Sequence, residues 1–491
     1  MLTSQPHTAI PSTHAPNALR FISMPIDTLT LAPPPAQWLA AVRARTGSPR
    51  AASFRAQLNL PTDRPVVMSG HQATIWHPGI LAKRFALSAA AEHAAAHAVW
   101  LVVDQDPEDP STLHYPARSA SDAPLRTQAW TWAPPRVAML CKADVPPCAA
   151  PAFLPAPIPD ADAPALPGTP AALLAIHTAL HAEALVAPSL AVQLASTAER
   201  LIAPYAPRVQ LLYASQLART DLFIELASRM ARDPRACAAA YNRAIAATRA
   251  SRIAPLRSDD RACELPLWHI ASPEQPRRRV YASELPKLLA SSSTSASLLP
   301  RALFMSGLLR LAGCELFIHG LGGAGPDAAS GYDRVTDHWF NEWLGPDYFG
   351  HQLLAPVVTT TATVTLPLLT KPPVTEQTLR TAQWKLHAAR HNPRLLLDVV
   401  AAARKQQHIA AIAGSRSRAD RKREYLAMHT ELTDYRQHVQ QQLATLNSEI
   451  LDITSRLRDQ AIATKRDWPF PIYPSTEITA LRERITQAFT N

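Results

Sequence analysis

The stretch Val66–Asp109, VVMSGHQATIWHPGILAKRFALSAAAEHAAAHAVWLVVDQDPED, constrains the fold more than any other part of the chain. A short apolar run, Val66-Val67-Met68, leads into a Ser69-Gly70 turn. A helical segment follows from about Pro78 to His97, where Ile80, Leu81, Phe85 and Leu87 among many alanines make a face suited to packing on a sheet. A second apolar run, Val99–Val103, ends in Asp104, Asp106, Glu108 and Asp109. Strand, helix and strand within about 40 residues predict a βαβ unit with parallel strands and a right-handed crossover. Ligands of such sheets bind outside the carboxyl ends of the strands. Here those ends carry Gly70, His71, Gln72 and His77 on one side and the acidic residues on the other. The helix N-terminus between them offers unpaired N–H groups to an anion.

A chain of 491 residues is expected to hold two or three domains. Its 47% apolar residues suffice for a real core, and 18% charged residues are too few for a disordered chain. The net charge of +10 fits an anionic small molecule or nucleotide, but the basic residues are scattered, which argues against nucleic acid as a partner. Five cysteines without a CxxC pair argue against a disulfide framework or a zinc knuckle. No run of 18 apolar residues occurs and the N-terminus is polar and proline-dotted, so the expectation is a cytoplasmic protein with no membrane partner.

In chain order, residues 1–60 read as a lead-in, with one helix at Ala36–Arg45 that resumes at Ala51–Leu58. Residues 61–370 read as a core interrupted by a Pro/Ala-rich insertion at about 133–170 and a helical insertion at about 171–300. Within them VQLLY (209–213) and ELFIH (315–319) read as strands, LPLWHI and RRRVYA as a strand pair, and SSSTSAS (291–297) as a connector. VVTTTATVTL (357–366) is β-branched and reads as a strand. Residues 371–491 read as a helical coiled-coil domain. Leu432, Val439, Leu446 and Ile453, with Leu443, Ile450 and Leu457 four residues on from the first-position residues, form a 3.5-residue seam, whether of an intramolecular hairpin or a dimer. The basic RSRADRKR (416–423) suits a hairpin tip or helix face.

For chemistry, His71 and His77 at a strand-to-helix turn can stabilise a phosphate or developing negative charge, although His77 equally fits a helix cap. HPG at the helix start matches three positions of the HxGH motif of nucleotidyl-transferring proteins, with Ile80 in place of the second histidine. Asp104, Asp106, Glu108 and Asp109 can hold Mg²⁺, an amine or a ribose hydroxyl. Lys83 lies a turn into the helix, within reach of a phosphate. After ELFIH, four glycines fall within six residues; Gly320, Gly322 and Gly323 there allow close backbone approach to a ligand. The following YDRVTD gathers Tyr332, Asp333, Arg334 and Asp337, with Arg334 suited to a carboxylate or phosphate, or to an internal ion pair.

The segment SGHQATIWHPGILAK resembles the GQQAGLxTGPLYTIxK region of the BshC family, the cysteine-adding enzymes of bacillithiol biosynthesis. VWLVVDQDPED is similar to that family's WVATEDHDFEE, ELFIHGLGG to its AYIGGPGEIAYW, and APVVTTTATVTL to its PVLVPRxSxTL strand. The likeness runs in order over about residues 60–460, with GHQ here for GQQ, HPG for TGP, no glutamate after the glycines and no arginine in the strand motif. The resemblance implies an α/β fold with a Rossmann-like parallel-sheet core, helical insertions and a C-terminal coiled coil used for homodimerisation. It also implies a ligase joining the carboxyl of cysteine to the amine of glucosaminyl-malate. On this reading His71, His77, Asp104 and Asp106 are catalytic, Asp104 and Asp106 orienting or deprotonating the attacking amine. Gly70, Gln72, Lys83, Glu108, Gly320, Gly322, Gly323, Tyr332, Asp333, Arg334 and Asp337 bind substrate or nucleotide. ATP or ADP, with Mg²⁺, are the candidate cofactors, and no metal ligand set is assigned. The alternatives are an adenylating enzyme related to class I synthetases and a non-catalytic scaffold.

Overall fold

A computed structural model describes residues 28–490 except 45–47, 119–122, 134–139, 150–167, 249–252, 291–297, 327–330, 346–347, 349–353, 367 and 370. The polar N-terminus, the connector 291–297 and most of the Pro/Ala-rich stretch lie outside the described residues. The strands are β1 Leu29–Ala32, β2 Val66–Gln72, β3 His97–Val103, β4 Thr112–Ala117, β5 Arg126–Thr131, β6 Gln210–Tyr213, β7 Glu264–His269, β8 Arg278–Tyr281, β9 Leu298–Pro300, β10 Leu316–His319 and β11 Val357–Ala362.

The βαβ unit forms as expected. β2 and β3 pair in parallel through a helix, Pro78–His93. Proline at its first position suits a helix start, since the missing N–H would go unpaired there anyway. Ser69 and Gly70 do not turn; they continue β2, because the apolar run is buried on both faces and its hydrogen bonds extend to Gln72. A Cβ on Gly70 would lie 2.5 Å from the Leu101 carbonyl, so glycine lets β3 approach there.

Six strands make the main sheet, in the order β1-β11-β10-β2-β3-β6. All neighbours are parallel except β1, which is antiparallel to β11. Numbered by their order in the chain, the five parallel strands run 5-4-1-2-3 across the sheet. The winding direction therefore reverses between β10 and β2. Side chains alternate between two apolar layers: Trp100 and Val102 enter one, Val99 and Leu101 the other. Glu315 ties the amino ends of the central strands together, accepting from the Val66 N–H at 2.6 Å and from Arg55 at 2.5 Å.

The ends of the chain correct the expected domain division. Residues 1–60 are more than a lead-in: β1 is an edge strand of the main sheet, and Trp38 and Phe54 are buried in its two apolar layers. Residues 371–491 are not all arm, because Trp468 and Phe470 enter the core. The final helix Ser475–Thr490 covers the outer face of Pro78–His93 with Ile478, Leu481, Ile485 and Phe489. An antiparallel hairpin, β4–β5, follows the acidic stretch, and β8-β7-β9 form a small antiparallel sheet inside the helical insertion. The described part of the Pro/Ala-rich stretch is packed rather than loose, with Cys141 and Lys142 buried.

The heptad seam packs within the chain. Helix Gln440–Ala463 lies along Glu376–His391, and Arg418–His438 lies along Val399–Gly414, with a break at Val439 between the two longer helices. Leu432, Tyr435 and Val439 form a small core there with Leu396, Met428 and Leu443. RSRADRKR occupies the tip of the Val399–Gly414/Arg418–His438 hairpin. No described helix is long and apolar enough to cross a membrane.

Candidate functional site

At the switch between β10 and β2 the helices on opposite faces diverge from the strands' carboxyl ends and leave a crevice. Two lobes occupy this place, one of about 310 Å³ and one of about 350 Å³. They share Gln72, Val103, Ala302, Met305 and Tyr332, and so form one cleft. The inner lobe is lined by Gly70, His71, Lys83, His319, Gly320, Gly322 and Gly323, the outer by Gln105, Asp106, Trp268, Arg277 and Arg301.

The inner lobe gathers basic side chains, and burial disfavours the charged forms of Lys83 and His71. Lys83 is 5% exposed and its Nζ donates to the Gly70 carbonyl at 2.6 Å. Burial pulls its pKa down to about 7, because a desolvated ammonium loses hydration that one carbonyl does not replace. The helix that carries it is buried almost all round. Burial, with Lys83 and His77 nearby, also holds His71 well below the usual histidine range. Its Nδ1 has no hydrogen-bond partner among the described residues.

Beside them stands a chain of three polar groups. Asp333, 3% exposed, accepts from His319 Nδ1 at 2.5 Å, and His319 Nε2 lies 3.0 Å from the Tyr332 hydroxyl. Burial pushes the Asp333 carboxyl up, but His319, with Arg310, outweighs it and keeps Asp333 below the usual range. Burial pushes the Tyr332 phenol up, so it holds its proton. The glycine loop is a single helical turn, Leu321–Ala324. A Cβ on Gly323 would overlap the His319 ring, and one on Gly331 would overlap the Gly323 carbonyl. Gly323 and Gly331 therefore admit a histidine and a chain crossing, while Gly320 and Gly322, where a Cβ would meet little or nothing, line the inner lobe.

In the outer lobe, Arg277 and Arg301 both lie over the Trp268 ring, at 4.6 and 4.7 Å from its centroid. Arg301 pairs with buried Glu264 at 2.5 Å, a carboxylate it shares with Arg279 at 3.1 Å. Arg277 donates to the Gln105 carbonyl at 2.7 Å and has no carboxylate partner among the described residues. An unpaired guanidinium braced on an indole is a receptor for an oxyanion.

Several expected site residues serve the scaffold instead. His77 caps the helix, its Nδ1 accepting from Gly79 N–H at 3.1 Å, and lines neither lobe; burial and Lys83 lower its pKa to about 4. Asp104 also lines neither lobe. It is 2% exposed and accepts from the Ser215 N–H at 3.0 Å and hydroxyl at 2.5 Å, fastening the turn after β6. Glu108 and Asp109 are exposed, and Asp109 caps the Ser111 N–H. Asp106 does line the outer lobe, 3.6 Å from Lys142. These carboxylates serve different partners, and among the described residues no three His, Cys, Asp or Glu side chains converge to hold a metal ion. Arg334 is exposed and lines neither lobe, and Asp337 pairs with buried Arg310.

Asp104 has a consequence for stability. Burial raises its pKa from 3.8 to about 6 despite the Ser215 bonds. The folded state therefore holds this proton more tightly than the unfolded, so the contribution is full below about pH 4 and lost as pH rises through about 6. Asp104→Asn should gain ~2 kcal/mol on wild type between pH 4 and 7. Urea midpoints at the two pH values check this; a pH-independent difference would overturn it.

Sequence reasoning missed His319, Arg277, Arg301 and Trp268. His319 was signalled by its place at the end of a buried strand; the other three had no local signal. No family model matches the chain, and no curated protein shows significant similarity to it.

Proposed function

We propose that the cleft is the active site of a carbon–nitrogen ligase of the BshC type, built on a Rossmann-like core. It would join the carboxyl of cysteine or a related amino acid to the amine of an amino-sugar conjugate such as glucosaminyl-malate. One observation carries this reading. Three of the segments that resemble the family, far apart in sequence, supply Gly70–Gln72 and Lys83, Gln105 and Asp106, and His319, Gly320, Gly322 and Gly323 to the same cleft. The parallel-strand order, which reverses beside β2, is that of doubly wound nucleotide-binding sheets. Arg277 suits a carboxylate of the acceptor, while His71 and Lys83 accept protons or charge at the inner end. An amide from a free carboxylate needs activation, for which ATP is the candidate. A homodimer formed through the helical arm, where Trp384, Leu426 and Leu451 are exposed, belongs to the same reading.

Melting curves test it, with glucosaminyl-malate, cysteine, ATP and ADP against wild type, Arg277→Gln and His71→Ala. A ligand at 100 times its dissociation constant should stabilise the fold by ~2.7 kcal/mol. The expected result is a rise with glucosaminyl-malate that both substitutions reduce. A rise with nucleotide alone would transfer the site to an adenylating enzyme, and no rise with any of the four would remove the ligase reading.

A further inference from the structure

The cleft holds a proton-transfer device whose parts come from two elements on either side of the glycine turn. Tyr332 lines both lobes and so stands where molecules bound in each would meet. Its position is over-determined. The backbone N–H of Tyr332 donates to the Gly322 carbonyl at 3.3 Å and that of Gly331 to Ala324 at 3.1 Å, a crossing that only glycine at 331 admits. Asp333 is ionised and can only accept, so Nδ1 of His319 carries the proton and donates to it. In the neutral tautomer Nε2 is then the acceptor for the Tyr332 O–H, 3.0 Å away. The phenol oxygen keeps its remaining lone pairs for the cleft.

We propose that Tyr332 is the catalytic proton carrier of the cleft, with His319 as its base and Asp333 as the positioning carboxylate. The proposal rests on reading the cleft as an active site, but not on the identity of the substrates. When a nucleophile N–H attacks an acyl carbon, its proton passes to the Tyr332 oxygen while the phenolic proton passes to His319 Nε2. The resulting imidazolium is balanced by Asp333, and the proton returns by the same path to the departing group. No charge is left on tyrosine, which suits a phenol that burial keeps protonated. The arrangement has the logic of a nucleophile, a base and an orienting acid, with Tyr332 at the head in place of serine.

The same geometry should make Tyr332 itself reactive, and this gives a test that needs no substrate. With N-acetylimidazole, the phenol oxygen bonds to the acetyl carbon, the carbon–nitrogen bond to imidazole breaks, and the phenolic proton goes through His319 to the leaving imidazole. Peptide mapping by mass spectrometry should find Tyr332 acetylated at least ~10-fold faster in wild type than in His319→Gln, with Asp333→Asn between them. Far-ultraviolet circular dichroism and melting curves confirm that each variant is folded. Tyr241, which lines the outer lobe and has no histidine partner among the described residues, is the internal reference and should be unaffected by His319→Gln. Equal Tyr332 rates in wild type and His319→Gln would overturn the proposal. So would a wild-type Tyr332 left unmodified under conditions that acetylate exposed Tyr425. If glucosaminyl-malate or another ligand binds, Tyr332→Phe should retain the melting shift and lose ~10²–10⁴ in turnover. Retained turnover would overturn the catalytic role even with the labelling intact. A flat ligand response with fast, His319-dependent labelling would sink the ligase reading and leave the relay standing.

Discussion

Lys83→Met should make the protein more stable at pH 7. An unfolded lysine titrates near 10.5 and Lys83 in the fold near 7, so below about pH 7 the fold bears the full cost of confining an ammonium. At ~1.36 kcal/mol per pKa unit the ceiling is ~5 kcal/mol. Methionine fills similar space but leaves the Gly70 carbonyl without its donor, which returns ~1–3 kcal/mol. The expected net gain is ~2–3 kcal/mol. The sign with pH follows from proton counting: between about 7 and 10.5 the unfolded chain binds the proton and the fold does not. Wild-type stability attributable to Lys83 therefore rises over that window, is fully present above about 10.5 and is lost as pH falls to about 7. The advantage of Lys83→Met should accordingly shrink toward pH 10, and urea midpoints at pH 7 and pH 10 measure both. The same variant should lose any ligand-induced rise in melting temperature. A destabilised variant with no pH dependence would show that Lys83 is charged and compensated, contrary to its geometry.

The next residue on the helix should respond in the opposite direction. Arg84 is fully buried, and its Nε and Nη2 donate to the Glu199 carboxylate at 2.9 and 3.1 Å, with Nη1 on Ser88 and Nη2 also on the Pro207 carbonyl. Removing one partner of such a pair leaves the other charge buried and unpaired. Arg84→Met should cost ~3–5 kcal/mol, a large share of what a domain has. Arg84→Met with Glu199→Leu should recover most of the loss, since a matched apolar pair is often as stable as a buried ion pair. Urea midpoints of the four proteins in the cycle give the coupling. Additive effects would mean that the two side chains are not a unit. Adjacent buried cations of opposite effect mark where the helix serves the fold and where it serves the cleft.

What the chain revealed in advance follows from how local each signal is. Both central strands are apolar on both faces, so they read as short hydrophobic runs, and the proline-started helix between them completes a pattern contained in one stretch. β1 is four residues long and its partner β11 is more than 300 residues on, so nothing local marks it. β4 contains Pro116, which reads against a strand, although it needs only one neighbour. For the site, strand ends were legible and partners were not. Asp104 looked catalytic because acid follows a buried strand; Ser215, its actual partner, lies 111 residues away. The glycines after ELFIH do line the cleft, but that Gly323 also makes room for the histidine four residues before it had no local signal. The heptads marked apolar positions of which Leu432, Val439 and Ile453 are buried, but not the break at Val439 or the helices packed alongside.

The order of the strands also sets a timetable. β2 acquires β3, and β3 acquires β6, once the first half of the chain exists, but β10, the other neighbour of β2, lies roughly 240 residues beyond β2. At ~5–20 residues per second a ribosome needs about 10–50 s to deliver it. For that interval the growing protein presents one side of β2 unpaired, beside apolar Val67 and Met68. Ribosome-bound nascent chains ending before Leu316 should therefore bind holdase chaperones or aggregate, and chains extended past Ala362 should not.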